Sequence, residues 1–222
     1  MKLKISPTLL DALDWWKNAP PSWKQKAYDD IVNKIQRKPF VSTPAIEMGS
    51  KFERTVQRAC EMKEQFKEIT TGSQLFHTVV DKCVGGLWQQ WARANIELED
   101  YGVVESYGKL DVHWPATSLA RPGGHIIDLK TTANYRGKEK YEKGWQQQFY
   151  CHFTGIKTFD YLVAEWADAE AGTIKDVHEI KCVVDLAEAE QRVHDGIRGF
   201  FAFLKTQKLW DDYLYIYCKN PR

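Results

Sequence analysis

The segment from Gly108 to Thr132 constrains the fold most. It reads GKLDVHW, then a loop through Arg121-Pro122-Gly123-Gly124, then HIIDLKTT. Side chains on a strand alternate, so residues two apart share a face. In the second run Ile126, Asp128 and Lys130 point one way, and Ile127, Leu129 and Thr131 the other. In the first, Leu110 and Val112 take one face and Asp111 the opposite one. Aspartate and lysine enter an apolar interior only when they pair or hold a metal. With the two strands as neighbours, Asp111 and Asp128 converge on a divalent cation and Lys130 stands beside them. The plainer alternative is an Asp128–Lys130 ion pair on an edge strand with Asp111 solvated in a hairpin. Taken alone, D-x-K is common by chance.

Around this pair the chain changes period repeatedly. Ser6-Pro7-Thr8 opens a helix over 6–17, with proline at its first position and Leu9, Leu13 and Trp16 on one stripe. Pro20-Pro21-Ser22 begins a second helix, 22–37, with Trp23, Ala27, Ile31 and Ile35 along one face, and Lys38-Pro39-Phe40 breaks it. A third helix runs from Thr43-Pro44 to about Ile69. It buries Phe52, Val56, Ala59 and Cys60 and carries Glu53 at the edge of that stripe. A short helix, 73–83, stops at Gly85-Gly86. Leu87–Leu98 is mostly apolar at even positions and polar at odd ones, which reads as a strand, with a helix as the alternative.

Strands at 103–114 and 125–131 precede an amphipathic helix, 138–154, that carries Tyr141, Trp145, Phe149, His152 and Phe153 and ends at Gly155. An antiparallel pair, 157–166 and 173–184, is followed by a helix over 186–206 with Val193, Ile197, Phe200, Phe201 and Leu204 on one side. The aromatic tail WDDYLYIYC is expected to dock on the domain. The pattern predicts one domain over 1–222: mainly helical to 85, a sheet core with the site over 87–184, and a C-terminal helix and tail from 185. The class is α/β, one mixed sheet flanked by helices, with a helical N-terminal part.

Carboxylate oxygens suit hard cations, and Mg²⁺ is commonly held by one or two carboxylates together with waters and substrate phosphate. Asp111 and Asp128 form such a pair for Mg²⁺ or Mn²⁺, and the Leu129 carbonyl is a candidate further ligand. Lys130 is placed to orient a water or to stabilise charge developing on a phosphate. Glu53 is a third carboxylate able to close the site. Gln146 and Tyr150, four apart on their helix, share a face and can hydrogen-bond phosphates or stack on a base. Arg136, Lys138, Lys140 and Lys143, opposed by Glu139 and Glu142, form a local basic excess that could guide a phosphate backbone. A solvated helix start explains any one of those lysines equally well.

In this order the residues resemble the PD-(D/E)XK nuclease superfamily, and within it the RecB-like and phage recombination exonuclease branch. That family shows a helical G-x-x-x-(E/H), a strand aspartate, a D/E-x-K strand and a Q-x-x-x-Y helix. Here these are Gly49 with Glu53, Asp111, Asp128 with Lys130, and Gln146 with Tyr150, while SPTLL is similar to the family's first helix. The likeness spans roughly 6–165 and implies a restriction-endonuclease-like fold. It implies that Glu53, Asp111 and Asp128 bind the metal, that Lys130 assists hydrolysis of a DNA phosphodiester, and that Gln146 and Tyr150 support the site. It further implies DNA as substrate, exonuclease action in recombination or repair, a ring-shaped homo-oligomer and a single-strand annealing protein as partner. Glutamate at position 53 is the variant seen in lambda-type exonucleases; many RecB-like members have histidine there. An endonuclease of restriction or repair, or a DNA-binding module without turnover, are the alternatives on the same fold.

Composition narrows the rest. A net charge of +1 gives no general attraction to polyanions, so a nucleic-acid surface has to be a local patch. The five cysteines (Cys60, Cys83, Cys151, Cys182, Cys218) show no C-x-x-C spacing, which argues against a zinc or iron–sulfur site. They are expected to be buried free thiols of a reducing cytoplasm. No apolar run approaches about 18 residues, and no signal peptide or membrane span is expected. His113 lies two residues beyond Asp111 and is either a neighbour of the site or simply packed. His125, His77, His152, His178 and His194 share no metal spacing, and Cys151 lacks a base.

Overall fold

The computed structural model describes residues 2–39, 41–66 and 73–219. Among these residues six strands form one mixed sheet: β1 (Leu3–Ile5), β2 (Leu87–Leu98), β3 (Gly102–Trp114), β4 (His125–Thr132), β5 (Thr158–Asp168) and β6 (Thr173–Val183). The order is β1-β3-β4-β5-β6, and β2 lies along the other edge of β3. β1 and β3 are parallel, as are β4 and β5, and the remaining pairs are antiparallel. The α/β class and mixed sheet expected from the sequence are therefore what the chain forms. A three-residue strand within the N-terminal part, β1, carries too little pattern to be read in advance.

The helices are α1 (Pro7–Asn18), α2 (Lys24–Ile35), α3 (Pro44–Phe66), α4 (Gln74–Cys83), α5 (Glu139–Glu142), α6 (Gln146–Thr154), α7 (Leu186–Thr206) and α8 (Trp210–Asp212). A π-helical turn, Tyr213–Cys218, follows α8. The expected end of the third helix near Ile69 lies outside the described residues. Local chemistry sets several boundaries. Pro7 opens α1, the Ser73 hydroxyl accepts from the Phe76 N–H at the start of α4, and Asp185 accepts from the Ala187 and Glu188 amides at the start of α7.

Two apolar layers sandwich the sheet. One gathers α1, α2, α6 and α7 over Leu110, Ile126, Phe159 and Tyr161. The other sets α3 and α4, through Phe52, Val56, Cys60 and Val80, on Val112, Ile127, Leu129 and Leu162. β5 is buried continuously from Phe159 to Trp166, as a strand covered on both faces must be.

Three expectations are corrected. The helix expected over 138–154 is two helices, α5 and α6, meeting at Gly144. The Gln147 amide donates to the Tyr141 and Glu142 carbonyls, so it caps the end of α5 from the first turn of α6. Trp23 is 49% exposed and does not join the buried face of Ala27, Ile31 and Ile35. Cys182 is half-buried, whereas the other four thiols are buried. No helix among the described residues is long and apolar enough to cross a membrane.

Candidate active site

β3 and β4 pair only through Val112–Trp114 and His125–Ile127. Beyond that the strands separate, and Asp111 and Asp128 stand on either side of the opening. Alternation alone puts Leu110 and Val112 on one face, but the structure sends them into opposite layers. The cause is a kink. Gln89, across from Asp111, has φ +54°, and the two residues drop out of the otherwise continuous β2–β3 register. The kink turns the Asp111 carboxylate toward β4, where Oδ2 accepts the Leu129 N–H at 3.0 Å.

Asp128 and Lys130 share the face of Ile126, as expected, and their carboxylate and ammonium are in direct contact. Asp128 is only 2% exposed and the Lys130 side chain 33%. Among the described residues, Asp128 Oδ2 has that ammonium as its partner and no further hydrogen bond. The plain surface ion pair is thereby excluded, because β4 is internal to the sheet and the aspartate is buried.

Glu53 arrives from α3. Gly49, one turn earlier, lets the helix lie close to β4: a Cβ there would stand 3.1 Å from Thr131 Oγ1. Burial pushes the Glu53 carboxyl up, and the charges of Lys109, Asp128 and Lys130 all reach it. Burial likewise pushes Asp111 up to about 8, with Asp128 adding and Lys130 opposing. Asp128 is raised by burial against the pull of Lys130. For Lys130 itself burial works downward, but Asp128 and Asp111 outweigh it and hold the ammonium protonated.

Tyr150 packs on the backbone of β3, and its hydroxyl donates to the Lys109 carbonyl at 3.1 Å. Burial raises its pKa, and Gln146 hydrogen-bonds to it. Gly108 makes this possible, since a Cβ there would stand 2.4 Å from the Tyr150 ring. Gly108→Ala is therefore expected to push the ring off the strand and to cost roughly 1–3 kcal/mol. Chemical denaturation would show the loss, and Gly108→Ala combined with Tyr150→Leu should be milder than the two single losses summed.

The basic segment is less available than its sequence suggests. Arg136, Lys138, Lys140 and Lys143 are all exposed. However, Lys138 pairs with Glu142 at 2.8 Å, and the Lys140 ammonium lies 4.9 Å from the centre of the Tyr141 ring. His113 is packed, its Nδ1 buried with no hydrogen bond among the described residues, and burial lowers its pKa against a backbone hydrogen bond with Leu87. His125 binds the Asp160 carboxylate at 2.9 Å.

Two residues at the site were not anticipated. The Gln89 amide donates to Glu53 Oε1 and lies 3.4 Å from Asp111 Oδ1, so it bridges two of the three carboxylates. Only its place opposite Asp111 in the ladder marks it out. Asp11, on α1, lies within the electrostatic reach of Lys130 and Asp128. Protein crowded about it pushes its carboxyl up to about 6, although solvent reaches the side chain.

The donors suit a hard divalent ion in kind. They are three carboxylates and a strand carbonyl, opposed by one ammonium, and the buried Asp128 Oδ2 is held by that ammonium. They do not yet form a closed set of ligands. Among the described residues no three acidic, histidine or cysteine side chains are gathered tightly enough to hold a metal ion. Gln89 holds Glu53, and Lys130 holds Asp128.

No family model and no curated protein sequence matches this chain. Among solved structures, SSO0001 superposes with a TM-score of 0.50 at 13% identity, over 89% of this chain and 77% of that one. The alkaline exonuclease LHK-Exo of Laribacter hongkongensis gives 0.45 at 13% identity, over 92% and 91% of the two chains. A phage-related exonuclease from Haemophilus somnus 129PT gives 0.45 at 10% identity, over 94% and 96%. The likeness to SSO0001 is one of fold, and it places the helix-flanked mixed sheet of this chain among known α/β architectures.

Proposed function

We propose that the protein is a deoxyribonuclease that hydrolyses DNA phosphodiesters with Mg²⁺ or Mn²⁺, working from ends as an exonuclease in recombination or repair. The observation that carries this reading is the buried Asp128, paired with the half-buried Lys130 and facing Asp111 across the opening between β3 and β4, with Glu53 brought in by α3. Asp111, Asp128 and Glu53 would hold the ion, with the Leu129 carbonyl beside them. Such an ion supplies Lewis acidity and neutralises phosphate charge.

The chain's own groups do the remainder. Asp128 fixes the Lys130 ammonium and keeps it charged, so that Lys130 can donate hydrogen bonds to an attacking water or to the oxygen on which charge develops. The Leu129 N–H orients Asp111. Tyr150, seated on Gly108 and bonded to the Lys109 carbonyl, would form the α6 side of the site. The exposed Arg136 and Lys143 remain available to guide a phosphate backbone. A ring of several copies and a single-strand annealing partner belong to the same proposal.

The test is incubation of linear and covalently closed circular DNA with Mg²⁺, and with chelator as control. Loss of linear DNA alone is expected. Cutting of the closed circle would make the protein an endonuclease. Binding of DNA with neither substrate degraded would make it a DNA-binding module without turnover.

A further inference from the structure

The sheet is covered unevenly. Along β2 and the first half of β3 the even positions, such as Ala92, Ile96 and Val104, are buried against the helices. The odd positions of β2 are largely solvent-facing, and α3 and α4 cover only the far half of β3 and the strands beyond. On this face, close to Tyr107, which the aromatic tail covers through Tyr217, stands Trp91, 54% exposed. Among the described residues its indole has no ring–ring or cation–ring contact. Its direct cross-strand partner is Lys109, also exposed. Lys109 is the nearest thing to a bridge between this face and the site, because its charge acts on Glu53 more strongly than any other.

Arg93 lies on the same face and, among the described residues, makes a long ionic contact, 3.7 Å, with Glu105. Glu97 lies at the far end. The face is thus cationic and aromatic where it meets the carboxylates and acidic where it leaves them. That polarity matters, since three carboxylates repel a polyanion unless cations beside them offset the field.

We propose that Trp91 and Lys109 receive single-stranded DNA, the indole stacking on a base while the ammonium meets the adjacent phosphate, and that Arg93 continues the track. Neighbouring strands lie about 4.8 Å apart, close enough for one nucleotide to reach both side chains. Stacking on an exposed aromatic beside a basic groove is how proteins hold single strands without reading sequence. The inference rests on the nuclease reading above and names where its substrate lies.

The test is fluorescence anisotropy of a labelled thymidine oligonucleotide with chelator present, so that binding is read without cleavage. Trp91→Ala should weaken binding roughly 5- to 100-fold, and Trp91→Phe should recover most of it. Lys109→Gln should lower the slope of log affinity against log salt by about 0.7, one single-strand phosphate contact. Circular dichroism checks that each variant is folded. If wild type cleaves DNA while the variants bind the oligonucleotide as wild type does, this inference falls and the nuclease reading stands. If wild type neither binds nor cleaves DNA, the nuclease reading itself fails. If the variants instead split a dimer on size-exclusion chromatography without changing DNA affinity, the face joins copies of the chain and the inference is overturned.

Discussion

Lys130→Met is expected to abolish DNA cleavage and to destabilise the protein, whereas Asp128→Asn combined with Lys130→Met should restore stability without activity. The single change strips the buried Asp128 of its counter-charge. Breaking one side of a fully buried pair costs about 3–5 kcal/mol. Lys130 is 33% exposed and water can partly take its place, so about 2–3 kcal/mol is expected. The double variant leaves a neutral amide beside a methionine and removes the uncompensated charge. Urea unfolding in chelator should therefore give a coupling of roughly 1–3 kcal/mol between the positions. Both variants should lose at least roughly 100-fold in cleavage, the scale seen when a donor to developing charge is removed. If Lys130→Met cleaved as wild type does, Lys130 would have no part in the chemistry and the pair would be architectural.

Asp111→Asn is expected to raise thermal stability at neutral pH while eliminating activity. Burial raises the Asp111 carboxyl to about 8 in the folded chain, against 3.8 for an ordinary aspartate. The unfolded state therefore releases its proton first as pH rises. The stability associated with this residue is fully present below about pH 4 and is lost progressively up to about pH 8. Asparagine keeps an oxygen for the Leu129 N–H and carries no charge to desolvate. Near pH 7.5 without metal the variant should melt about 4–8 °C above wild type, equivalent to about 2 kcal/mol in a chain of 222 residues. Near pH 4 the two should coincide. Added Mg²⁺ should raise wild type and leave the variant unmoved. A variant that melts below wild type at neutral pH would show that the carboxylate is ionised and well satisfied in the folded chain.

Much of this architecture was legible because its signals are local. The alternation of Leu87–Leu98 and of the segments around Asp111 and Asp128 specifies strands. The spacing of Val193, Ile197, Phe200 and Leu204 specifies α7, all of whose apolar stripe is buried. Strand periodicity set Asp111, Asp128 and Lys130 together, Glu53 joined them through the motif order of the family resemblance, and the four lie within electrostatic reach of one another. What stayed hidden depends on distant partners. The break at Gly144 needs the Gln147 side chain to cap α5 and the Tyr161 hydroxyl to bond Gln147. The reversal of faces at Asp111 needs a left-handed glutamine on another strand. Neither Gln89 nor Asp11 belongs to a recognisable spacing, because each meets the site only after β2 and α1 have packed.

The tail has a consequence for the order in which the protein assembles. The Tyr213 hydroxyl donates to the Lys4 carbonyl at 2.6 Å and receives the Lys4 N–H at 3.0 Å, and β1 itself pairs with β3 about a hundred residues away. Contacts of such long sequence separation close late, after the entropy of large loops has been overcome. A chain still lacking α7 and the aromatic tail would hold Asp111, Asp128 and Lys130 on strands whose β1 edge is not yet pinned. Docking of the aromatic tail would then be the step that pins β1 and completes that edge of the sheet.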